Sequence, residues 1–193
     1  MEDFILYLKL GLYHVLDWEA YDHIWFLVAL AVIYNFNNLK KVIWLVTLFT
    51  IGHTLTLALA AYKVISIDIA IVEFLIPVTI FITAVVNILT VKKELQKSSN
   101  INLVFALVFG LIHGLGFSNY FRMLMDESEA KLVPLLEFAL GIEIAQVIIV
   151  MAILTSGYVA QYFFKVSKRD WVLVLSSIVI GVVIPMLSER IFW

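Results

Sequence analysis

No cysteine occurs in the 193 residues, so the chain can form neither a disulfide nor a thiolate metal site. Any metal would have to be held by imidazole, carboxylate, amide or backbone oxygen. That donor set favours Zn, Ni, Co, Fe or Mn over soft Cu(I). Charge is also scarce: thirteen basic and fifteen acidic residues leave a net −2, with no basic stretch suited to nucleic acid, so no nucleic-acid partner is expected. Linkers, low-complexity tracts and internal repeats are missing, and residues 1–193 read as a single domain. Glu2 and Asp3 stand where a signal peptide would carry basic residues, and no small-residue cleavage site follows. The start of the chain is therefore expected to be retained.

What remains is apolar. Hydrophobic residues make up 63% of the chain and the mean hydropathy is +1.03, well beyond the range of soluble domains. The lipid bilayer is the partner this implies, and long apolar runs without strand alternation predict an all-α integral membrane protein. Six transmembrane helices are predicted, over about 22–37, 41–63, 69–91, 101–123, 132–163 and 170–191. Residues 4–16 are too few to cross alone, and should form a short amino-terminal helix that lies at the interface or packs as a half-helix on the bundle.

The connections alternate in charge. Lys40 and Lys41, then Lys92, Lys93 and Lys97, then Lys165, Lys168 and Arg169 follow the first, third and fifth spans. Placing these loops in the cytoplasm, as expected for a bacterial inner-membrane protein, leaves both termini extracytoplasmic. The connections at Ser66–Asp68 and Asp126–Glu129 then also lie outside. Of the fifteen acidic residues only Glu94 and Asp170 fall on the inner side. Either acidic residues avoid the basic side, or they form an outer rim that concentrates cations.

The four histidines, His14, His23, His53 and His113, all lie within or just before spanning helices. Phe109-Gly-Leu-Ile-His113-Gly-Leu-Gly116-Phe-Ser-Asn119 holds one of them among glycines, and Gly110 and Gly114 have the G-x-x-x-G spacing that lets a second helix come close. An imidazole at that depth must find a partner, because hydrocarbon offers no water. His53 lies thirteen residues beyond Lys40 and His113 thirteen beyond Asn100, each roughly 20 Å up from the inner side. Asp22 and His23 enter from the outside, as do Glu73 and Glu143. Five helices thus bring imidazole or carboxylate to the outer half of the bilayer.

Each residue has a plainer alternative. Asp22 could cap its helix as well as bind metal, and His14 could face headgroups. Glu143 and Gln146, one turn apart, could join helices by hydrogen bonds, and Thr50 could orient a nitrogen of His53 one turn on. Glu73, Ile80, Thr83 and Asn87 recur at helical spacing, giving one helix face polar ends. Pro77 cannot donate to the Glu73 carbonyl, which leaves either a packing kink or a free backbone oxygen beside the carboxylate.

Four ordered motifs resemble the HupE/UreJ family. They are His14-Val-Leu-Asp-Trp-Glu-Ala-Tyr-Asp22-His23-Ile-Trp-Phe, Thr47-Leu-Phe-Thr-Ile-Gly-His53-Thr-Leu-Thr-Leu57, Val72-Glu73 with Asn87, and Phe109-Gly-Leu-Ile-His113-Gly-Leu-Gly-Phe117. The resemblance implies a six-helix membrane protein and, for some members, uptake of nickel or cobalt through a histidine followed by an Asp-His pair, here His14, Asp22 and His23.

Two functions follow as expectations. The first is a divalent transition-metal transporter (Ni, Co or Zn) whose site comprises His14, Asp22, His23, His53, His113 and Glu73, supported by Glu143, Gln146, Thr50 and Asn87. The second is a zinc-dependent membrane hydrolase acting on a lipid or other membrane-embedded substrate, with Glu73 or Glu143 as general base. A metal-stabilised scaffold without turnover is a third possibility.

Overall fold

A computed structural model of the chain describes residues 2–17, 21–94, 101–124 and 131–191. Lys97 and the Asp126–Glu129 connection lie outside these residues. The described residues form helices and no strand: α1 (Glu2–Leu16), α2 (Asp22–Ala31), a short 3-10 turn (Phe36–Asn38), α3 (Leu39–Ala61), α4 (Ile69–Glu94), α5 (Ile101–Gly116), α6 (Ser118–Leu124), α7 (Leu132–Tyr162) and α8 (Lys168–Glu189). Four stretches are long and apolar enough to cross a membrane: Phe36–Ala61, Ile69–Val91, Leu132–Tyr162 and Lys168–Glu189. The helical class expected from the sequence is what the structure shows.

The other two expected spans are broken, each for a local reason. The first ends as a helix at Ala31, where the chain turns through Tyr34-Asn35-Phe36-Asn37-Asn38. The Asn35 side chain accepts the Asn37 amide hydrogen and so starts the 3-10 turn. A helix ending inside an apolar bundle leaves carbonyls without partners. Here Val28 O takes the Val32 amide, Ala31 O takes the Tyr34 amide, and Ala29 O takes the Asn87 side-chain amide from α4 at 2.7 Å. Asn87, expected among the residues supporting the site, therefore closes the end of α2.

The second break separates α5 from α6 at Phe117, just after Gly114 and Gly116, residues of low helix propensity. The Ser118 hydroxyl donates back to Leu115 O at 2.7 Å and satisfies one carbonyl freed there.

Close approach defines the interior. A Cβ on Gly110 would collide with the Phe49 carbonyl, and one on Gly114 with the His53 carbonyl and the Thr56 hydroxyl. The glycines let α3 and α5 run side by side in the same direction, with backbone in contact. α7 runs opposite to α3: Phe138 lies beside His53, and Glu143 beside Thr47 and Thr50. α1 packs on α7 through Gly11 and Gly141, seated against the bundle. α4 and α8 cover the remaining side.

Candidate metal centre

His14 comes from α1, His23 from the first turn of α2, His53 from α3 and His113 from the last turn of α5. Each helix has its own reason to be there. α3 and α5 are locked by their glycines, α1 is seated on α7, and α2 is closed at its far end by Asn87. One nitrogen from each of His14, His23 and His53 lies within 4.8 Å of the others. Nitrogens sharing a tetrahedral metal at about 2.1 Å sit roughly 3.4 Å apart, so modest rotation of the rings would close the site. The His113 ring lies beside that of His23, with centroids 5.3 Å apart.

Hydrogen bonding decides which nitrogens are available. The His113 Nδ1 lies 2.8 Å from Phe109 O. A carbonyl only accepts, so Nδ1 carries the hydrogen and Nε2 presents its lone pair. The His23 Nδ1 likewise donates to Asp22 Oδ1 at 3.0 Å, the carboxylate–histidine pairing that fixes a metal ligand's tautomer. Nε2 of His14, His23 and His113, and both nitrogens of His53, have no partner although they are buried. An unpaired polar atom in an apolar interior is unfavourable by roughly 1–3 kcal/mol. Four such rings in one place are what a cation would relieve.

The surroundings are apolar. Phe117 lies tilted against His14 with ring centroids 4.1 Å apart, Phe49 and Phe26 flank His113 at 5.1 and 5.4 Å, and Phe138 borders His14 and His53. His53 and His113 are almost entirely inaccessible. His14 is different. It shares a recess of about 470 Å³ with Leu10, Tyr13, Asp17, Phe117 and Tyr120, which opens the centre to one side.

The acidic residues divide. Asp22 is buried, accepts from the backbone and ring of His23, and meets the Arg190 guanidinium at 3.4 Å. The N-cap of α2 is Tyr21, so Asp22 is chiefly the partner of His23 rather than a cap. Glu73 is exposed and is not among the groups drawn together. Its backbone carbonyl, the one Pro77 leaves without an amide, accepts from Arg190 at 3.3 Å. The free oxygen expected from Pro77 therefore binds a guanidinium. Glu143 bonds to Thr47 and Thr50 at 2.6 and 2.5 Å, and Thr50 reaches Gln146 at 3.1 Å. Thr50 does not hydrogen-bond His53; its hydroxyl serves Glu143.

Arg190 and Asp17 are the residues that sequence reasoning overlooked. Arg190 carried one signal, as the cation at the carboxyl-terminal end of a helix apolar through its middle, but its target lies far away in sequence.

Buried imidazoles in a bundle of membrane-crossing helices define an integral membrane protein with a histidine-rich candidate metal centre. The chain belongs to the HupE/UreJ family, whose pattern, described as HupE / UreJ protein, matches residues 1–188. That family is associated with nickel and cobalt transport. No curated protein and no solved structure matches the chain.

Proposed function

We propose that the protein is a divalent transition-metal transporter, of nickel or cobalt, that takes its cargo from the extracytoplasmic side into the imidazole centre. The observation that carries this reading is the set of buried, unpartnered nitrogens contributed by four separate helices. Imidazole donors suit nickel, cobalt and zinc alike. Asp22, His14, His23, His53 and His113 would strip water from the ion, with Asp17 and His14 meeting it first in the recess. Glu73, exposed at the rim near Asp22 and Arg190, would raise the local cation concentration rather than ligate.

The topology that goes with this reading has six crossings, with α2 and its 3-10 turn as one and α5 with α6 as another. Lysine-rich connections face the cytoplasm, and the end of α8 lies outside.

Hydrolysis finds less support. Glu73 is exposed and outside the histidine group, Glu143 is held by two threonines, and the Ser118 hydroxyl is bonded to Leu115 O. Among the described residues, the buried carboxylate nearest the imidazoles, Asp22, is engaged by His23 and Arg190.

The test is metal analysis of the purified protein, followed by uptake into sealed vesicles. Nickel or cobalt accumulation that His53→Ala and His113→Ala abolish supports the proposal. A tightly bound zinc with no flux for any ion would overturn it.

A further inference from the structure

Transport through the imidazole centre leaves a chemical problem: a dication held by buried nitrogens needs a weaker site to move to on its way inward. The two acidic residues assigned to the inner side, Glu94 and Asp170, stand at the very ends of α4 and α8 rather than along the way from the imidazoles. The structure points to a solution between His53 and the Lys40–Lys41 end of α3. Thr50 and Thr47 precede His53 by three and six residues, about 4.5 and 9 Å along the helix. Both direct their hydroxyls at Glu143 of α7.

The cluster is rich in oxygen. Glu143 contributes two oxygens, Thr47 and Thr50 one each, Gln146 its amide oxygen, and Val46 a carbonyl 3.1 Å from the Thr50 hydroxyl. Thr50 has one hydrogen and three acceptors within reach: Val46 O, Glu143 Oε2 and Gln146 Oε1. Gln146 is fully buried, and its Nε2 has no partner. Whichever way that amide is turned, only one of its two polar ends meets Thr50, and the other is left alone. Two helices tied merely to each other have no need of this surplus. A cation bringing a water molecule would satisfy both the oxygens and the amide hydrogens.

We infer that Glu143, Thr47, Thr50 and Gln146 form a second, oxygen-donor position for the divalent cation, one to two helical turns inward of the imidazoles. The inference rests on the transport reading for its direction of travel, but the site itself is a binding claim. Carboxylate, hydroxyl and amide oxygens hold nickel or cobalt less tightly than imidazoles do. The step from nitrogen to oxygen ligands therefore runs toward release. Beyond it, at the start of α3, a recess of about 400 Å³ bordered by Asn35, Asn37 and Gln161 lies on the same side as the lysines.

Cobalt(II) titration of the full-length purified protein, followed by visible absorption, tests the site. Wild type should take up a tight equivalent with the intense bands of tetrahedral nitrogen ligation, then a weaker one with the pale spectrum of octahedral oxygen ligation. Glu143→Gln should abolish only the weaker equivalent, and Thr47→Val, which keeps the carboxylate, should weaken it about tenfold. Vesicle uptake by Glu143→Gln should fall by a similar factor or more. The inference fails if wild type binds one equivalent, if Glu143→Gln keeps both, or if that variant loses the tight one. Wild type that binds both ions and moves neither would defeat the transport reading and leave the second position standing.

Discussion

At the scale of single residues, the centre is set by which nitrogens are already engaged. His23 and His113 have their Nδ1 positions tied down, by Asp22 and by Phe109 O, so each offers Nε2 in a fixed tautomer. His53 has no such tether. Asp22→Asn keeps the shape of its side chain but removes the charge that orients His23. We expect it to lower nickel or cobalt affinity by about 10- to 100-fold, as measured by isothermal titration, while helix content by circular dichroism stays unchanged. An equal affinity in the variant would show that Asp22 only braces Arg190. Arg190 joins three elements, since its guanidinium meets Asp22 of α2 and the Glu73 carbonyl of α4 from the end of α8. Replacing it with Gln should free the Asp22 charge and tighten metal binding, whereas a purely structural role would loosen it.

Among elements, the α3–α5 pair governs the placement of two of the four imidazoles. His53 and Gly114 touch through backbone, so the register of the pair fixes where His53 sits relative to His113. Gly114→Ala should force the helices apart, lower thermal stability by a core-scale 1–3 kcal/mol and abolish tight metal binding. Gly181→Ala in α8 is the matched control, because a Cβ there meets nothing within 4 Å. It should leave binding unchanged and raise stability by up to about 1 kcal/mol through helix propensity. Similar losses in both variants would refute the register argument.

For the whole molecule, orientation in the membrane can be read directly because the chain has no native cysteine. Val64 and Phe164 are exposed in the connections that follow α3 and α7. Val64→Cys should react with a membrane-impermeant maleimide in intact cells, and Phe164→Cys only after permeabilisation. The reverse pattern would invert the positive-inside assignment and place the recess at His14 on the cytoplasmic face.

Helical class, membrane residence, the four long apolar helices and the placing of His23, His53 and His113 in the interior are legible in the chain itself. They depend on local hydropathy and on the scarcity of polar groups that could lie in lipid. The shared depth of His53 and His113 was legible too, because helical rise converts sequence distance into height. Azimuth was not. Which face of α7 carries Glu143, that Arg190 occupies the carbonyl Pro77 leaves open, and that Asn87 ends α2 rather than lining the centre all depend on helix rotation and on partners as many as 168 residues apart. Those choices are made by packing, through glycines that admit one register and hydrogen bonds that must all be satisfied without water.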